Sequence, residues 1–206
     1  MRTKRPEQAD KILCVAARLF ATHRFHEARM EDIAAAAEVG KGTLYRYFKD
    51  KEELYLALLD RAAEGLLRRI DEELADADGP RGKLEAMIRA ILDFLSANPY
   101  LFDVATHAEA LARPGSLASW KKLRETNTRR TLDIVEEGRQ AGLWDIPDPE
   151  TPVLMLLGGL RAVLRFGSST RPAELAPRIL EDFLHGADRK AAACGKRPRA
   201  LEVGQG

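Results

Sequence analysis

Apolar residues recur every three or four positions along almost the whole chain, and alternating β-branched runs are missing. That is the period of helices, so the expected fold class is all-α with about nine helices. Ile12, Val15, Ala16, Leu19 and Phe20 mark the apolar face of a first helix over about 7–22. Arg29 to Ala36 is a short second helix, and Lys41 to Tyr47 a third. Asp50 caps a fourth, with Glu53 three residues on as its reciprocal partner; this helix runs to about 75 and stops before "DADGP". A fifth covers about 81–97, up to Asn98-Pro99. A sixth covers about 100–112, up to Pro114-Gly115. The seventh, about 116–141, is long, with Gly142 as a left-handed cap before apolar Leu143 and Trp144. Asp148-Pro149 opens an eighth over about 150–167, and a ninth covers about 172–187. No internal repeat is visible, and the final "RKAAACGKRPRALEVGQG" reads as a frayed basic tail.

The second and third helices are each about two turns, too short to persist alone in water. They need each other and the first helix, and Ile33, Ala37, Val39, Leu44 and Phe48 supply that packing face. The alanines at 34–37 let helices approach closely, and "AEVG" is a tight turn ending at Gly40. The third helix is basic and aromatic: Lys41, Arg46, Tyr45 and Tyr47 surround Thr43, with Lys49 and Lys51 just beyond. Two short helices across a tight turn, the second one basic, form a helix-turn-helix pattern at about 30–48.

Charge strengthens this reading. The whole chain is nearly neutral at +1, but residues 1–51 carry +4, residues 52–188 carry −7 and residues 189–206 carry +4. A basic leading piece on an acidic body suits an anionic partner for the first piece. With 206 residues, 45% hydrophobic and 32% charged, the chain can bury a sizeable core without staples. Two distant cysteines argue against a disulfide framework; Cys14 lies in the first helix's apolar pattern and is expected inside, and Cys194 falls in the tail. "MRTKRPEQADKIL" has no apolar stretch after its basic residues and is read as no signal peptide. The longest apolar run, "VLMLLGGL" at 153–160, falls well short of the ~20 residues that span a bilayer. No membrane partner and a cytoplasmic location are expected.

The segment "ILCVAARLFATHRFHEARMEDIAAAAEVGKGTLYRYFKDKEELYLALL" resembles the N-terminal DNA-binding domain of the TetR family of bacterial transcriptional regulators. The resemblance covers about residues 8–60. It is carried by Ala16-Ala17, Leu19-Phe20, Phe25, Met30, Ile33-Ala34, Ala37, Val39, Gly42-Thr43-Leu44-Tyr45, Tyr47-Phe48, Lys51 and Leu54, all in register. Two positions depart from the family pattern. Glu38 stands where glycine is frequent, so the turn must accept a side chain; Gly40 replaces a common serine, which leaves the third helix without a hydroxyl cap. Glu38 is expected to face away from DNA, because it would repel phosphate.

The resemblance implies that the third helix enters the major groove. Lys41, Gly42, Thr43 and Arg46 then face base edges: Gly42 for close backbone approach, Thr43 for a thymine methyl or a hydrogen bond, Lys41 or Arg46 for guanine. Tyr45, Tyr47 and Lys51 fall to phosphates and fix register, and Arg29 is a further phosphate or base candidate. Arg2, Lys4 and Arg5 form an arm in or near the groove. The implied layout is a basic arm over 1–7, a helix-turn-helix domain over 8–60, a regulatory and dimerisation domain over 61–188 and the tail over 189–206.

For the body, the eighth predicted helix is apolar nearly all round and is expected to be buried on more than one side. The resemblance implies that the last two helices pair with their copies as a four-helix bundle in a homodimer, through Leu156, Gly159, Val163, Ile179, Leu180 and Phe183, with Gly158-Gly159 allowing close approach. It also implies a small-molecule effector held between the fourth and eighth predicted helices. Met87, Ile91, Phe94, Phe102, His107, Trp120, Leu123, Asn127 and Arg161 are the candidate lining. Arg161 and Arg165 are alternatively read as partners of Glu181 or Asp182. No cofactor is implied. His23 and His26 are three apart but lack the further ligands a metal needs. Nothing in the sequence forms a nucleophile–base pair, and "GKGT" at 40–43 lacks phosphate-loop spacing, so no enzyme is expected.

The function expected is that of a ligand-responsive homodimeric repressor on a palindromic operator in double-stranded DNA. The alternatives are an activator or ligand-independent regulator of the same fold, and a helical binding domain without specific DNA binding.

Overall fold

The computed structural model describes residues 6–22, 27–99, 101, 118–167 and 172–187. These hold eight helices: α1 (Pro6–Thr22), α2 (Met30–Ala36), α3 (Lys41–Tyr47), α4 (Lys51–Ala75), α5 (Gly79–Ala97), α6 (Ala118–Gln140), α7 (Glu150–Phe166) and α8 (Pro172–Ala187). The chain is all-α. Apart from Leu101, the helix expected over 100–112 lies outside the described residues, as do residues 1–5 of the arm expected over 1–7, His23, His26 and Cys194; Pro6 and Glu7 belong to α1.

Two apolar cores organise the helices. The head core gathers Ile12, Leu13, Ala16 and Phe20 of α1, Met30, Ile33 and Ala34 of α2, and Leu44 and Tyr47 of α3, with Ala37, Phe48 and the first turns of α4. The body core is built on α5, which packs against α4, α6, α7 and α8. α4 belongs to both. Its Leu54, Tyr55, Leu58 and Leu59 close the head, and Ala62, Ala63, Leu66 and Ile70 continue into the body. Trp120, near the start of α6, packs against both cores. Cys14 is exposed, contrary to the sequence expectation. The buried stripe of α1 runs through Ile12, Leu13, Ala16 and Phe20, and position 14 points off it.

Helix ends follow local chemistry. Asp50 accepts a hydrogen bond from the Glu53 amide at 2.8 Å, and Glu53 reaches back to accept from the Lys49 amide at 2.6 Å. One residue beyond its expected place, this second bond still fixes the entry to α4. α6 ends with Gly142 at φ +73, donating to the Arg139 carbonyl, while Leu143 donates to Gly138. This is a Schellman turn with glycine in its left-handed position. Trp144 then folds back over α6. Its Nε1 donates to the Val135 carbonyl at 2.7 Å, and its ring lies where a Cβ on Gly138 would meet it at 1.8 Å. Only glycine at 138 leaves room for that ring.

Candidate nucleic-acid interface

α2 and α3 are joined by four residues whose geometry sets the site. α2 ends in a Schellman turn like that of α6: Glu38 donates to Ala35 at 3.0 Å and Val39 to Ala34 at 2.9 Å. The left-handed position, at φ +54, is occupied by Glu38 rather than glycine. A side chain there costs about 1 kcal/mol. Glu38 pairs with Lys11 of α1 at 3.0 Å, and the hydrogen bond from that ammonium holds its carboxyl below the usual range. Gly40 is the N-cap of α3, extended at φ −64 and ψ 145, with no side-chain cap.

α3 then presents two faces. Leu44 and Tyr47 go into the head core, with Phe48 beside them. Lys41, Gly42, Tyr45 and Arg46 are exposed and Thr43 is half-buried. Positions 41, 42, 45 and 46 share one side of a helix. A Cβ on Gly42 would meet nothing within 4 Å, so packing inside the protein does not require glycine there. The Lys41 ammonium lies 5.9 Å from the Tyr45 ring centre, and the Arg46 guanidinium 5.5 Å from that of Tyr47. Both distances suit cation–π contact, which steers the two cations along the helix surface. Arg29, exposed, is the N-cap residue of α2.

Among the expected phosphate contacts, Tyr45 is 40% exposed, whereas the Tyr47 ring is 7% exposed and helps hold α3 down. Lys51 is half-buried. Its ammonium donates to the Ala28 carbonyl at 3.0 Å, tying the start of α4 to the lead into α2, and burial lowers its pKa. Sequence reasoning missed Glu31. This α2 carboxylate lies 2.6 Å from the Lys41 ammonium; its hydrogen bond with Lys41 lowers the Glu31 pKa and raises that of Lys41. Ten residues separate the two, and only the turn geometry brings them together.

In the body, Met87, Ile91, Leu123 and Asn127 are buried, and Trp120 and Phe94 are half-buried. The Phe94 ring faces Gly65 of α4, where a Cβ would come within 3.2 Å of it, and edges an open groove with Arg68, Arg69, Glu72 and Asp93. Arg161 is exposed on α7. Phe102 and His107 lie outside the described residues. Glu181 pairs with Arg81 of α5.

The expected dimer residues divide. Leu180, 1% exposed, and Leu156, 8% exposed, are covered by the chain's own helices, while Gly159, Val163, Ile179 and Phe183 are half-buried. α7 is not buried all round. Leu154, Met155 and Phe166 are 50%, 72% and 80% exposed, and a Cβ on Gly158 or Gly159 would meet nothing within 4 Å. The helical period locates the correction: Val153, Leu156 and Leu160 point inward, which turns Met155, Gly158, Ala162 and Phe166 outward. No described helix is long and apolar enough to cross a membrane.

Comparison with known proteins agrees with this geometry. Residues 12–58 match the family profile described as bacterial regulatory proteins, tetR family, and residues 77–165 match that of a tetracyclin repressor-like C-terminal domain. Over 69% of this chain, and 64% of the relative, the sequence is 30% identical to the HTH-type transcriptional activator FasR of Mycolicibacterium smegmatis. The chain thus spans just under two thirds of that relative's length. It is 28% identical to the fatty acid metabolism regulator protein of Bacillus subtilis, over 69% of this chain and 73% of the relative. The fold is that of the TetR-family regulator PfmR from Thermus thermophilus, with a TM-score of 0.75 at 23% identity, covering 86% of this chain and 99% of that one.

Proposed function

The chain belongs to the TetR family of bacterial DNA-binding transcriptional regulators, and on that footing we propose that it is a ligand-responsive homodimeric repressor of a palindromic operator. The observation that carries the DNA-reading part is the outward side of α3. Lys41, Gly42, Tyr45 and Arg46 stand exposed on one side, above a helix pinned by Leu44 and Phe48. In the proposal Lys41, Gly42, Thr43 and Arg46 meet base edges, and Arg29 and Tyr45 meet phosphates. Tyr47 and Lys51 remain phosphate candidates that also hold the head together.

The two readers come from two copies of the chain. Met155, Gly158, Ala162 and Phe166 form an apolar stripe with small residues at its centre, which suits close helix-to-helix packing against a second copy, with α8 alongside. Two half-sites then lie about one helical turn of DNA apart, or a multiple of it. Regulation runs through α4, which is shared by both cores. An effector that displaces the body end of α4 moves its head end. A coupling of about 1.4–3 kcal/mol weakens operator binding roughly 10- to 150-fold. The relative FasR is named an activator, so a reporter gene decides the sign of regulation.

The test is capture of sheared genomic DNA from the source organism by purified protein at two salt concentrations, beside an Arg46→Ala variant. Recovery of a short palindrome, lost or relaxed in the variant, is expected. Diffuse capture that disappears with salt would reduce the head to a nonspecific basic surface.

A further inference from the structure

α4 passes from one core to the other within three residues. Leu59 is the last of its side chains in the head core, and Ala62 is the first in the body core. Among the described residues, α1, α2 and α3 pack in sequence on one another, and α1 also packs on α4. None of the three shares an extensive surface with α5 to α8. Two bodies joined by one helix and little other surface move relative to each other, so a second contact is needed to fix their angle. α6 supplies one. Ser119 donates a hydrogen bond to the half-buried Asp60 carboxyl, and Arg130 pairs with Asp71 at 2.7 Å. Both pairs of positions, 60 and 71 on α4 and 119 and 130 on α6, are equally spaced, so α6 runs parallel to α4 over about 16 Å. The Asp60–Ser119 tie lies at the hand-over between Leu59 and Ala62. Trp120 follows Ser119, and among the described apolar residues it alone packs against both cores. Its Nε1 is buried without a hydrogen-bond partner, as are Asn127 Oδ1 and Arg130 Nη1 further along α6. A buried donor without an acceptor opposes folding, so the N–H does not account for tryptophan here. The reach of a large ring does, since it touches two cores at once.

We propose that Trp120 is a positioning residue for operator reading: its ring, wedged between head and body beside the Asp60–Ser119 tie, fixes the angle of the head and thereby the half-site spacing that a dimer accepts. The inference rests on the palindromic-dimer reading and adds the residue that sets its geometry. The ring itself touches no DNA. One head reads one half-site whatever its angle to the body. Two heads read two half-sites together only when their separation matches that of the DNA. One base pair added between half-sites moves the second by about 3.4 Å and turns it by about 35° around the duplex. A braced head does not follow that change. A loose head follows it, but loses its freedom each time it binds.

The experiment uses the full chain and the series Trp120→Phe, Trp120→Leu and Trp120→Ala, which shortens the side chain stepwise. Two quantities are read. The first is the intrachain distance distribution between spin labels on Cys14, exposed in the head, and on Asp133→Cys, exposed on α6, with Cys194→Ser and an excess of unlabelled protein. It needs neither DNA nor a dimer. The distribution should be narrow with tryptophan or phenylalanine at 120 and widen through leucine to alanine. The second is affinity for the captured operator, with its own spacer and with one base pair added or removed. The unsubstituted chain should discriminate against altered spacers at least about tenfold and the Trp120→Ala variant less than about threefold, with equal affinity for a single half-site. A width that does not grow along the series would overturn the proposal. So would spacer discrimination retained by a variant whose distribution has widened. A loss shared equally by every spacer and by the single half-site would make Trp120 a purely structural residue and overturn it too. Indifference of the unsubstituted chain to spacer length, with the width still following the series, would overturn the palindromic-dimer reading while the brace stands.

Discussion

α3 and α7 each bury one face in their own core and leave the other uncovered, and the two uncovered faces are opposites. That of α3 is Lys41, Gly42, Tyr45 and Arg46; that of α7 includes Leu154, Met155 and Phe166, with two glycines between. Both helices have done their folding work with the buried side, so the exposed side reports what is left to bind. A polar, cationic face loses little in water and gains when phosphates release their counterions. An apolar face of this size is unfavourable in water and gains by being covered. In the proposed function, therefore, one helix meets a polyanion and the other a surface like itself.

The largest expected effect comes from making α7 resemble α3. Met155→Asp would put an unpaired carboxylate into the proposed interface, costing about 3 kcal/mol or more. Self-association measured by analytical ultracentrifugation should weaken at least about 100-fold, and tight operator binding should go with it. A variant that stays dimeric would place the interface elsewhere.

Removing one of the two cations of α3 comes next. Arg46→Ala is expected to weaken operator binding about 10- to 100-fold, the value of a good base contact, with the unfolding midpoint nearly unchanged. Equal loss on random DNA would make Arg46 a phosphate ligand instead.

Gly42→Ala is subtler and separates folding from recognition more cleanly. A Cβ at 42 has open space around it, and alanine is the better helix former by about 1 kcal/mol. The variant should unfold at the same or a higher temperature and yet bind operator about tenfold less well, the methyl group standing between α3 and the groove. Unchanged affinity in a fluorescence titration would mean that α3 does not approach DNA at this residue.

Smaller still is the effect of Glu31→Gln. The Glu31–Lys41 pair is exposed and screened by water, so stability should stay nearly unchanged. Freed from the carboxylate, Lys41 should make the salt dependence of nonspecific DNA binding steeper by about one counterion. An unaltered slope would show that Lys41 does not reach phosphate.

The smallest effect concerns the turn beneath α3. Glu38→Gly relieves a left-handed residue at the expense of an exposed ion pair with Lys11, for a small expected net gain in a denaturant titration. Operator affinity should hold, since Glu38 is paired back to α1. A loss of affinity would show that this pair helps to aim α3.

Much of this was legible in the residues themselves. The helical period, the Asp50 cap, Gly142 at the end of α6 and the short α2–α3 pair are local properties, set by neighbours within a few positions. The exposed face of α3 was legible too, because its charges and its apolar residues separate cleanly around the helix. α7 was harder. Its sequence is apolar on nearly every side, so periodicity alone could not say which leucine faces in. Packing against α5, α6 and α8 made that choice, burying Leu156 and Leu160 and turning Met155 and Phe166 out.

By itself, then, the chain determined its helices, their ends and the side of α3 that carries charge, because hydrogen bonds and amphipathic spacing act over short distances. The fold alone decided the pairing of Glu31 with Lys41, the attachment of Lys51 to Ala28 and the line of unpaired polar atoms on α6. Those depend on which surfaces meet across tens of residues, and only burial in a shared core fixes that.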